Sequence, residues 1–73
     1  MTGECLIQKA SVDGIADLNL YQEEFGGDYS IWLDAEGSEQ DGLCIATGLS
    51  RASTVSKAMA HLAAVIVKLK ELE

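Results

Sequence analysis

Three turn signals divide the first 50 residues of this chain and leave little choice about its fold. Asp13-Gly14 stands between Val12 and Ile15, Gly26-Gly27 stands between Phe25 and Asp28, and Glu36 to Gly42 is a longer polar connection. The two short pairs suit tight hairpins, because glycine reaches positive φ without steric cost. The runs between the turns alternate. Tyr29, Ile31, Leu33 and Ala35 are apolar at every second position, with Ser30 and Asp34 between them. Leu43, Ile45 and Thr47 repeat the pattern, as do Leu18 and Leu20. Period-two alternation is the mark of a strand buried on one face.

Taking Asp13-Gly14 and Gly26-Gly27 as two-residue turns, and centring the third turn on Glu39, aligns Ile7, Leu20, Leu33 and Ile45 in one row. Leu6, Tyr21, Trp32 and Ala46 then form a row on the opposite face. The aliphatic row belongs inside, since a one-residue slip would invert every side chain. Thr2 to Val12 can also be read as a short helix capped by Thr2. The hairpin signal and the row favour a strand.

The last third changes period. Val55, Met59, Leu62, Val65, Ile66, Leu69 and Leu72 recur at three- and four-residue spacing, which predicts one helix from Ser53 to Leu72. Ser50 or Ser53 supplies its N-cap. Such a helix is roughly 30 Å long. The expected fold is α+β: an antiparallel meander of three to four strands, with one long C-terminal helix on one face. With 73 residues and no proline, repeat or linker, residues 1–73 form a single small domain.

Charge narrows the function. The net charge is −7, yet 48% of the residues are hydrophobic, too many for a disordered acidic tail. Asp13 to Asp41 holds nine carboxylates and no Lys or Arg, whereas Arg51 to Glu73 is mildly basic. Such a surface is a poor grip for phosphates, so direct nucleic-acid binding is not expected. It suits a basic protein partner instead. The candidate contacts are Glu23, Glu24, Asp28, Asp34, Glu36, Glu39 and Asp41. Tyr21 and Trp32 join them as aromatic anchors on the sheet face the helix leaves open. A cross-strand aromatic pair that only steadies the sheet is the plainer reading of those two.

A second surface lies on the helix. Ala60, Ala63, Ala64 and Val67 flank its core stripe and are small and apolar where solvent would favour charge. Together with Trp32 they are the candidates for a homodimer contact.

No catalytic residue is assigned. His61 is the only histidine and falls on the polar stripe with Lys57 and Lys68. Ser50, Ser53 and Ser56 read as helix-start residues, and there is no phosphate loop. The Asp34–Gly42 loop is rich in oxygen ligands but departs from the calcium-loop spacing, so no metal or cofactor is expected. Cys5 and Cys44 form no Cys-x-x-Cys pair, and two reduced thiols fit a cytoplasmic chain. Met1 to Glu4 lacks the basic start of a secretory signal. The longest apolar run, Leu62 to Val67, is far below the ~20 residues of a bilayer span.

A small, simple, acidic chain of this type resembles phage-encoded inhibitors such as anti-CRISPR and DNA-mimic proteins. That resemblance rests on size, charge and simplicity, and it implies a non-enzymatic viral inhibitor that occupies a nucleic-acid-binding protein. The strand-strand-strand-helix order is also loosely similar to HicB-type antitoxins. The DNA-binding tail of those proteins has no counterpart here, and this second likeness implies a homo-oligomeric regulatory module.

Overall fold

The computed structural model describes residues 3–24 and 26–73. Thr2, the cap of the helical reading, and Phe25 lie outside them. Four strands form one antiparallel sheet in the order β1-β2-β3-β4. They are β1 (Glu4–Val12), β2 (Ala16–Glu23), β3 (Tyr29–Ala35) and β4 (Leu43–Gly48). The N-terminal segment is therefore a strand. The helical part follows as α1 (Arg51–His61), a 3-10 turn (Ala63–Val65) and α2 (Ile66–Lys70).

On β2 and β3 the expected faces survive but the expected register does not; on β1 and β4 the faces themselves change, with Gln8 in place of Ile7 and Ala46 turned to the inner side. Asp13 and Gly14 take φ of 52° and 68°, as a tight primed turn requires. The ladder resumes only at Val12↔Ala16, leaving Ile15 as an extra, exposed loop residue. Ala10 then faces Leu18, and Gln8 rather than Ile7 faces Leu20. A bulge at Ile7 restores the expected pairing of Leu6 with Tyr21. In the second hairpin Leu20 pairs with Ile31, not Leu33, because the turn is centred earlier than Gly26-Gly27. That two-residue shift keeps every side chain on its face.

On β4 a second bulge lies at Ile45, between Ile31↔Ala46 and Trp32↔Cys44. It turns Ala46 inward and keeps Ile45 in the core. The inner row is thus Gln8, Leu20, Ile31 and Ala46. Tyr21 and Trp32 share the outer face as diagonal neighbours, since Tyr21 sits opposite Ser30 and Trp32 opposite Asn19.

The single long helix is corrected. The chain bends by 118° between Arg51–His61 and Ala63–Lys70. Leu62, at φ −137° and ψ 69°, is the break. The core explains it. A helix is about 10 Å wide, whereas four strands at about 4.8 Å spacing need more cover. α1 lies on β3 and β4, and only a bend brings Leu69 and Leu72 back over β1. Both leucines are fully buried, with Leu18, Leu20, Ile31, Val55 and Ala58.

Polar contacts fix the corner. Arg51 donates to the Leu72 carbonyl and to Gln8 Oε1, and Gln8 Nε2 donates to the Glu71 carbonyl. At the start of α1, Ser50 is the N-cap and forms a reciprocal capping box with Ser53. No single helix among the described residues is long and apolar enough to cross a membrane.

Candidate functional site

The helices cover one side of the sheet and leave the other side open to solvent or to a loop. Part of it is closed by the acidic loop between β3 and β4. Asp17, Asn19 and Asp34 are all buried on this outer face. Asp34 Oδ2 accepts from Asn19 Nδ2 at 2.7 Å and from the Gln40 amide at 3.0 Å. Its Oδ1 accepts from the Asp41 and Gly42 amides at 2.9 and 2.7 Å. Asn19 Nδ2 also donates to the Ser38 carbonyl, and the Gly37 amide donates to Asp17 Oδ2. Positive φ at Gly37 (82°) and Gln40 (51°) curls the loop so that successive amides converge on one carboxylate.

The electrostatics follow from this cage. Burial by itself raises the Asp34 pKa. The bonds from Asn19 and from the Gly42, Asp41 and Gln40 amides outweigh burial, and the net pKa is lowered. The Tyr21 phenol is pushed up to about 12, first by burial and then by the charges of Asp34 and Glu39.

The nine residues expected to meet a partner therefore separate into three groups. Asp34 and Tyr21 are buried in the sheet–loop seam, where Asp34 serves the loop and is not a free carboxylate. Glu36, Glu39 and Asp41 are exposed at one end of the sheet, beside the β1–β2 turn with Asp13; Glu36 Oε2 lies next to Gly14. Glu23, Glu24 and Asp28 are exposed at the opposite end, about 20 Å away along the strands. The acidic block of the sequence is thus two surfaces. Two ion pairs occur among the described residues, Lys9–Asp17 and Lys68–Glu71, and neither uses an exposed turn carboxylate.

Trp32 belongs to the second end. It lines a shallow groove of 290 Å³ with Glu4, Glu23, Asp28, Ser30, Cys44 and Thr47. Ser30 Oγ donates to Glu4 Oε1 at 3.3 Å. Burial pushes the Cys44 thiol pKa up, a backbone hydrogen bond with Ala46 opposes that, and the Glu4 charge adds to it. Cys5 lies on the inner side of β1, so the two free cysteines occupy opposite faces of the sheet.

No family model, no curated protein and no solved structure matches this chain. Its chemistry is read from the groups above. Among the described residues, no three His, Cys, Asp or Glu side chains come together as metal ligands. His61 is exposed in the last turn of α1. Ala60, Ala63 and Ala64 are exposed around the helix bend, and Val67 is 75% exposed.

The role of Asn19 was not anticipated from the sequence. The available signal was three outward carboxylate or amide side chains, Asp17 and Asn19 on β2 and Asp34 at the end of β3, just before a glycine-bearing loop. Short Asx side chains commonly collect the amides of such turns.

Proposed function

We propose that this chain is a non-enzymatic acidic binding protein that docks on a basic, nucleic-acid-binding protein and occupies the surface that phosphates would take. One observation carries the reading. The exposed carboxylates of the turns stand at the two ends of a rigid sheet, and none is neutralised by a Lys or Arg among the described residues. Unpaired carboxylates accelerate encounter with a basic surface and set its register. The buried Asp34 and Asp17 anchor the loop that displays Glu36, Glu39 and Asp41, so those side chains start from a preorganised backbone.

The test is capture from the host with the tagged chain, followed by purification of the captured protein and measurement of its affinity. The expected partner carries a basic face, binds nucleic acid, and loses that binding when this chain is added. Raising ionic strength from low to physiological weakens the complex by about tenfold. A partner whose affinity ignores salt, or which binds nucleic acid and this chain together, contradicts the reading.

A second reading has its own observation. Val67 is 75% exposed beside Ala63 and Ala64, an apolar face on which a second copy could sit in a homo-oligomeric regulatory module. Sedimentation of the wild-type chain separates the two. A dimer mass lost in Ala63→Glu favours self-association as the function, and a monomer removes it.

A further inference from the structure

We infer that the groove around Trp32 is a receptor for one arginine side chain of the partner. This rests on the docking reading above and specifies one of its two ends. Glu4 comes from β1, Glu23 from the end of β2 and Asp28 from the following turn, so three carboxylates from different elements line the groove that also holds Trp32 and Tyr29. No Lys or Arg lines the groove, and neither ion pair among the described residues involves these carboxylates. Its 290 Å³ lies at the small end of ligand pockets and suits a side chain better than a drug-sized molecule.

The chemistry selects among cations. A planar guanidinium stacks on the indole face and still offers in-plane N–H groups to carboxylates at its rim. An ammonium is compact and strongly hydrated, and it cannot serve the aromatic face and a divided set of carboxylates equally well. The Ser30 hydroxyl donates to Glu4, which leaves Glu23 and Asp28 as the principal acceptors.

Trp32 is the only tryptophan of the chain, so its fluorescence reports on this groove alone. The probes are Ac-Gly-Arg-Gly-NH2 and Ac-Gly-Lys-Gly-NH2, each too short to reach the Glu36–Asp41 end. The arginine peptide is expected to change the emission saturably, with a midpoint on the order of millimolar. The lysine peptide binds about threefold or more weakly. Glu23→Gln with Asp28→Asn weakens the arginine response about tenfold, while Glu36→Gln, Glu39→Gln and Asp41→Asn together leave it within about twofold. All these positions are exposed, and a matched far-ultraviolet spectrum verifies the fold of each variant. A response that fails to saturate, that is equal for both peptides, or that persists in the Glu23–Asp28 variant overturns the assignment. If the groove fails while a basic partner is still captured in a salt-dependent way, the docking reading stands without it. If the groove binds arginine but no basic partner is captured, the docking reading falls.

Discussion

Asn19 and Asp34 meet on the outer face of the sheet, Nδ2 to Oδ2 at 2.7 Å, and both are buried beneath the acidic loop that follows β3. This contact joins the fold to the display of charge. The most acidic segment of the chain is held down by one of its own carboxylates. Removing that carboxylate should cost far more than removing its exposed neighbours. Asp34→Ala strands three loop amides and is expected to lower stability by about 3 kcal/mol. Glu36→Gln should stay within about 0.5 kcal/mol of wild type. Urea unfolding of both variants makes the comparison.

The same carboxylate sets an acid limit. Its pKa is lowered in the folded state, so its contribution is fully present above the ordinary carboxylate pKa of the unfolded chain. That contribution is lost as pH falls from that range through the lower folded value. Stability measured from neutral pH downward should drop across this window, and Asp34→Asn should flatten the drop.

Tyr21 behaves in the opposite sense. Its hydroxyl is buried with no hydrogen-bond partner among the described residues. Tyr21→Phe removes an unsatisfied group and should leave stability unchanged or raise it by about 1 kcal/mol. In the wild type, ultraviolet titration should show one phenol ionising near 12. Because this pKa is raised on folding, stability should fall as pH rises from the unfolded value of 10.0 toward about 12.

Gly42 closes the loop at a point with no room for a side chain. A Cβ there would fall on the Leu33 carbonyl oxygen, which is backbone and cannot swing away. Gly42→Ala should cost about 2 kcal/mol or more and loosen the Asp34 cage, seen as faster amide exchange at Asp41 and Gly42.

The bend at Leu62 can be tested through the residues it brings home. Leu69 is fully buried, so Leu69→Ala should cost about 2–5 kcal/mol, whereas Val67→Ala on the exposed side should cost under about 1 kcal/mol. Equal small effects would contradict the seating of α2 on β1.

Much of this architecture could be read from residue spacing, and the failures have definite causes. Period-two alternation identified the strands because each face sees a different solvent. It could not see the bulges at Ile7 and Ile45, which depend on where a ladder resumes after its turn. The stripe from Val55 to Leu72 is continuous in helical phase, so nothing local announces the break at Leu62. The break answers the width of the sheet beneath, a tertiary demand. Charge counting located the acidic block as one segment, although the meander order already places its successive turns at opposite ends of the sheet. Counting also treated Asp34 like its neighbours, although three amides and an asparagine had already claimed it.

The central claim is that the exposed turn carboxylates hold a basic partner. Its most direct measurement is the affinity of the purified captured partner for wild type and for the Glu36→Lys, Glu39→Lys, Asp41→Lys variant, at low and physiological ionic strength. The account predicts a loss of about a hundredfold on charge reversal with the fold intact, and a residual complex that weakens less with salt than the wild-type one. An affinity that changes with neither substitution nor salt would contradict it.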